Sequence, residues 1–525
     1  MKKWLIMSLL ASFTFGCGGG GGDDGVSAQA AGTAVTATTP TNTTNSPIVP
    51  IVPGQAQTFN FPAFSVDSRL AIVANFQTMT ATNNETGTLS AELGTAAGAL
   101  PREIVNRYDP SVPSEEASPC GFADVSVMTS VMGEDEVREQ SVSAVRARYQ
   151  ELPEGARRDF FLIPAFKSVT GEKILEPSET EHCTIFAEVV DDQPVVSRTK
   201  ALLVAEAFDT DNPQRPGSGI YDQVRAVFGS EWNQNPPGGN DGDQKIVLFF
   251  FSPKTLGEGL FGYVSPADGN PDGGTNSNRG EIIYVNAGKS NYQTLATISH
   301  EFQHVINQNQ KVNQQGLNPA GAQQENVSIN EGLSGLAEEV CGYTFESGND
   351  LLVLVTNNYL QKPEQHEFFN FFAAGLGYGQ GYLFFRYVRE HFGDSTVRAL
   401  STDPDTGIAN LNEHLPVGFA ETFRRWTIAN YATNLGGNVP GIYKYPSGLR
   451  TDGTYPAGTL LGVKTFPMSN NTTNRSPALG PWSTTYMVLD DKPGSGLTAK
   501  ITPAGNSAYG VIFEQQEGQL TTFED

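Results

Sequence analysis

Between residues 292 and 308 the apolar side chains Leu295, Ile298, Phe302, Val305 and Ile306 recur near helical spacing, with no proline or glycine among them. That period puts them on one face of a helix. A second helix is expected over 328–339. A third starts at Tyr378 and runs through Leu383, Phe384, Tyr387 and Val388, and others are expected over 221–228, 395–400 and 419–435. Short runs rich in branched and aromatic residues read as strands. They lie at 69–76, 160–166, 184–190, 245–251 and 280–286, and again at 484–489, 497–501 and 509–514, while 135–150 is a charged, helix-like interruption. Strands, then a mixed segment rich in helices, then strands again predict an α+β chain. Its expected parts are a β-rich accessory domain over 56–199, a mixed domain over 200–437 and a small β domain over 438–525.

The 292–308 helix carries the candidate chemistry. His300 and His304 are four residues apart, so both imidazoles project from one face and can share a metal ion. Glu301 sits between them, where it can take a proton from a water that the metal polarises. One more carboxylate, itself on a helix, completes a set of two histidines and a glutamate with the fourth position open. That is a catalytic rather than a structural zinc arrangement. Glu325, Glu331, Glu338 and Glu339 all compete for the place. Residues 305–330 leave room for the first helix to end, for a loop rich in Gly, Pro and Asn at 316–321, and for the second helix to fold back. For so short a motif the plain alternative is a helix whose His and Glu face solvent or each other.

HEFQH at 300–304 with INEGLSGLAEE at 329–339 resembles the gluzincin metallopeptidases, the group that includes thermolysin and the zinc aminopeptidases. With GEIIYVNAG at 280–288 before it and YGQGYLFFRYV at 378–388 after it, the pattern over roughly 200–437 is most similar to the hyicolysin family of bacterial endopeptidases. The resemblance implies a thermolysin-like zinc peptidase domain acting on proteins or peptides, with β-rich domains on either side. It makes His300, His304 and Glu331 the zinc ligands and Glu301 the general base, because Glu331 holds the Asn-Glu-Gly position of the family. Glu338 matches a later glutamate of the aminopeptidases, which implies a supporting role. Tyr378 stands first in a motif similar to their Tyr-x-Lys-Gly, whose tyrosine steadies the oxyanion. Gln380 replaces the lysine, Tyr382 and His366 are rivals, and an aromatic packed at a helix start is the plain reading.

Two departures matter. Thermolysin-like enzymes carry an aspartate four residues after the third ligand, where this chain has Gly335. The Gly-x-Met-Glu-Asn type motif that anchors a free amine in the aminopeptidases is missing, so an endopeptidase is expected. In gluzincins a strand before the metal helix borders the cleft and pairs with the substrate backbone, and 280–286 is expected to fill that place. The reading from another class is an inactive or latent lipid-anchored binding or adhesion protein on the same fold.

Composition narrows the partners. The 525 residues carry 57 acidic against 33 basic side chains, a net charge of −24, which leaves no basic face for nucleic acid or anionic lipid. Lys2 and Lys3 followed by the apolar stretch 4–15 read as a signal peptide over 1–16, too short for a permanent span. Thr14-Phe15-Gly16-Cys17 resembles a bacterial lipobox, atypical at Thr14 and Phe15, and would make Cys17 a lipidated N terminus. Acyl chains embedding at about 0.8 kcal/mol per CH₂ would then hold the protein at a membrane, facing the periplasm or the cell exterior. Residues 17–55 read as tether and linker. In that oxidising compartment Cys120 and Cys183 are a candidate disulfide, and Cys341 a buried thiol. The Asp-rich turns at 209–212, 268–272 and 403–405 are either calcium loops or ordinary Asx-turns. The sequence sets no oligomeric state.

Overall fold

Ile246–Phe251 (IVLFFF) and Ile282–Asn286 (IIYVN) are buried at every position, as strands covered on both faces must be. They pair in parallel, and Cys183–Val190 adds in parallel on the far side of Ile246–Phe251. Lys167–Lys173 and Arg157–Leu162 extend the sheet by antiparallel pairing, and Gly262–Val264 forms the opposite edge, antiparallel to Ile282–Asn286. Alternate residues serve two cores. Leu248, Phe250, Ile283 and Val285 face the helices and meet a core that includes Phe208, Tyr221, Ile298 and Phe302. Val247, Phe249, Phe251, Ile282 and Tyr284 face the other way, onto Tyr149, Phe160 and Tyr263. The computed structural model describes residues 148–489 without 233–237, 240–241, 270–275, 316–323, 375, 436–438 and 471, together with strand segments between 48 and 94 and between 497 and 515.

The helix expected over 292–308 spans Asn291–Lys311. It begins with a reciprocal cap, in which Ser290 accepts from the Gln293 N–H and the Gln293 side chain accepts from the Ser290 N–H. The second helix, Val327–Val340, starts at Asn326, whose side chain accepts from the Ser328 N–H. It is held between the first helix and a third, Tyr378–Phe392. The approach to the third is backbone on backbone. A Cβ on Gly332 would come within 2.8 Å of the Gly381 Cα, and one on Gly381 within 2.9 Å of the Gly332 Cα. Glycine at both positions is what lets these two helices touch.

The chain ends depart from expectation. The N-terminal strands Ile48–Ile51 and Ser68–Phe76 share a five-stranded sheet with Phe466–Met468, Thr484–Leu489 and Ser507–Gln515. Gln57–Phe61 and Thr88–Gly94 share a four-stranded sheet with Thr473–Arg475 and Leu497–Ala504. Leu70, Ile72 and Ala74 point into the layer between the sheets with Leu89, Ala91, Leu93, Leu497, Ala499 and Ile501, while Ala71 and Val73 point the other way into the helical core. The two flanking β domains are therefore one sandwich, built from both ends of the chain and packed on the helices. The boundary expected at 200 falls inside one body as well, because the strands from Arg157 to Val190 belong to the central sheet. Ile48–Ile51, expected as linker, is a paired strand.

The strand at 280–286 is also not the cleft edge. It lies inside the sheet, and the edge is the three-residue Gly262–Val264, too short to show a period. The signal peptide, Cys17, most of the 17–55 tether, Cys120 and most of 135–150 lie outside the described residues. Among the described residues no helix is long and apolar enough to cross a membrane.

Candidate metal centre

Fold-back of the second helix brings Glu331 against both histidines. The Glu331 Oε2 lies 3.2 Å from His300 Nε2 and 3.5 Å from His304 Nε2. Two donors bound tetrahedrally at 2.0–2.1 Å from one zinc ion lie about 3.3 Å apart, so these separations suit a shared cation. His300, His304 and Glu331 form a buried group whose donor atoms all lie within 4.8 Å of one another, so it can hold a metal ion. The competing carboxylates are occupied. Glu325 accepts the backbone N–H groups of Asn326 and Gly407 and pairs with Lys311 at 3.5 Å. Glu339 accepts from the Tyr382 hydroxyl at 2.7 Å and faces Arg386 and Arg389.

Glu338 supplies what Gly335 cannot. Its Oε1 lies 2.9 Å from His300 Nδ1, and its Oε2 accepts from Asn349 Nδ2 at 2.7 Å. A proton held on Nδ1 leaves Nε2 with its lone pair towards the metal position. His304 Nδ1 meets the Ser334 hydroxyl at 3.1 Å, and that hydroxyl reaches Gln303 Oε1 at 2.5 Å. Ser334 and Glu338 stand three and seven residues after Glu331, on its own helical face. That spacing was the available signal for Ser334, which sequence reasoning missed. The space at Gly335 serves packing instead, since a Cβ there would lie 3.3 Å from the Tyr382 Cβ.

Burial works against charge here, and the neighbours decide. Burial pushes the Glu331 carboxyl up, but His304 and His300 outweigh it and hold it at about 2. Burial pushes His300 down, but Glu331 and Glu338 outweigh it and raise it to about 10. Glu301 is pushed up to about 7 by burial, offset only in part by His304 and His300. Carboxylates that favour protons on histidines equally favour a divalent cation in their place. Glu301 has 0 % exposure, and neither of its carboxylate oxygens has a hydrogen-bond partner. A buried carboxylate left over beside a donor set fits a base waiting for a water or substrate proton.

No protein-family model matches the chain, and no curated protein is similar to it in sequence.

Around the metal group, Tyr378 opens the third helix with its ring centroid 6.3 Å from that of His300 and its edge against Phe371. Tyr378, His300 and Glu331 line one cleft, whose other wall is Leu351, Leu352 and Val355. Tyr382 lines the same cleft, but its hydroxyl is engaged by Glu339 and Arg386. His366 sits edge-on to Tyr359, which stacks on Trp426 in the core, and burial pushes it down to about 4. On the sheet side the edge strand presses on the base, since a Cβ on Gly262 would lie 3.2 Å from the Glu301 Cγ.

The first Asp-rich turn, and the described part of the second, are ordinary turns. Asp209 caps the N–H groups of Glu181 and His182, Asp211 accepts from the Gly217 N–H, and Asp268 accepts from the Asn278 N–H and the Tyr284 hydroxyl. Positions 270–272 of the second turn lie outside the described residues. Cys183 and Cys341 are buried free thiols, and burial pushes both up.

Proposed function

We propose that the chain is a zinc-dependent endopeptidase of gluzincin type, with a thermolysin-like catalytic domain similar to that of the hyicolysins. The observation that carries this reading is the buried group of His300, His304 and Glu331 with the unpartnered Glu301 carboxylate beside it. When bound, zinc would polarise the peptide carbonyl and acidify the attacking water. His300, His304 and Glu331 would hold it, with Glu338 and Ser334 fixing the rings. Glu301 would take the proton of the attacking water and pass it to the leaving amine. Tyr378 would steady the oxyanion. Gly262–Val264, which among the described residues pairs with a strand on one side only, would align the substrate backbone as an added strand. In keeping with Cys17 as a lipid anchor, the enzyme would act at a membrane surface outside the cytoplasm.

The test is cleavage of casein by the full chain, with and without a chelator, beside Glu301→Gln. Chelator-sensitive cleavage restored by zinc, with a loss of about 10²–10⁴-fold or more in Glu301→Gln and metal still bound, is the expected result. Wild-type rates in Glu301→Gln would overturn the mechanism. One observation favours a second reading, a latent enzyme or a binding protein on this fold: His300, Glu301, His304 and Glu331 are each no more than 2 % exposed. Bound zinc without cleavage would select it.

A further inference from the structure

A second set of ligand atoms converges about the third Asp-rich turn. Asp403 ends the helix Asp394–Thr402, while Glu413 and His414 end the helix Gly407–His414. One ligand atom from each of Asp403, Glu413 and His414 lies within 4.8 Å of the other two. The His414 Nε2 is 3.1 Å from Asp403 Oδ2. Nε2 is buried, and its approach to Asp403 is an ion pair rather than a well-formed hydrogen bond. The other Asp403 oxygen, Oδ1, is taken by the Asp405 N–H, which fixes the carboxylate's orientation. The C-terminal end of a helix adds negative potential there.

We propose that Asp403, Glu413 and His414 form a second divalent-cation site. An imidazole with two carboxylates suits zinc, cobalt or nickel and not calcium, which takes oxygen ligands. The site's place in the fold gives it a role. The carbonyls of Asp403 and Asp405 accept from Lys311 Nζ at 2.6 and 2.7 Å, and Lys311 is the last residue of the helix that carries His300 and His304. A cation on Asp403 clamps the turn that anchors that helix end.

The inference does not depend on peptidase activity, and its test reads metal alone. The metal-free full chain is titrated with zinc and with cobalt in competition with a chelator. Two ions per wild-type chain are expected. Glu413→Gln with His414→Gln leaves one, and His300→Gln removes the other. One ion per wild-type chain, or two in the double variant, overturns the proposal. Should the double variant fail to fold, Glu413→Gln alone changes an exposed side chain. It is expected to weaken the second site at least tenfold and leave the first unchanged; an unchanged second affinity overturns the proposal equally.

Discussion

Replacing Glu338 by alanine removes the group that holds His300 from behind. The lost contact is the 2.9 Å approach of His300 Nδ1 to Glu338 Oε1, and the Asn349 amide that braced the carboxylate at 2.7 Å loses its partner too. A hydrogen bond to a charged group contributes about 1.5–3 kcal/mol, and about 1.4 kcal/mol is tenfold in affinity. The expected fall in zinc affinity is therefore about 10–100-fold, the range typical of lost partners behind metal-binding histidines. Glu338→Gln keeps an oxygen acceptor for Nδ1 and should lose less. The assay is competition against a chelator of known affinity, with thermal unfolding of both metal-free variants as a control for folding. If Glu338→Ala binds zinc as tightly as wild type and remains folded, then Glu338 does not orient His300, and the substitute for the aspartate missing at Gly335 lies elsewhere.

Gly262→Val should push the edge strand off the metal helix, since even a Cβ would come within 2.5 Å of the Thr297 Cγ2 and 2.8 Å of the Tyr284 carbonyl. A loss of about 1–3 kcal/mol is expected in denaturant unfolding, with weakened casein cleavage. Lys311→Met leaves Glu325 buried without its cation and should cost about 3–5 kcal/mol, whereas Lys311→Met with Glu325→Gln should recover part of that in the same unfolding experiment. Asp268 is pushed up to about 7 by burial, against the Tyr284 and Asn278 hydrogen bonds that pull it down. A carboxyl raised above its unfolded value contributes stability below about pH 4 that is lost as pH rises towards about 7, here up to about 4 kcal/mol. Unfolding midpoints compared at about pH 5 and about pH 8 should fall more in wild type than in Asp268→Asn; equal slopes would refute the assignment.

The metal helix was legible because its signal is local. Leu295, Ile298, Phe302 and Ile306 repeat with the period of the helix they form, and His300 and His304 share a face by the same geometry. The strands at Ile246–Phe251 and Ile282–Asn286 were legible for a similar reason, as short runs of branched and aromatic residues of the kind a doubly covered sheet buries. Position within the sheet was not legible. Nothing in Gly262-Tyr263-Val264 marks it as the edge, because an edge is defined by which neighbour is missing.

The same limit applies to the pairing of the chain ends. The apolar runs at 69–76 and 484–489 specify two strands, but not that they are partners across some 400 intervening positions. At the candidate site, sequence by itself determined the types of side chain that could hold a metal and their spacing on each helix. Tertiary structure decided which of four glutamates meets the histidines. Glu331, Glu338 and Glu339 ride one helix, and its packing against the metal helix turns the first towards the Nε2 atoms, the second towards Nδ1 of His300 and the third away onto Arg386 and Arg389. A helix fixes angles between its own residues, and only contact with a second helix fixes where those angles point.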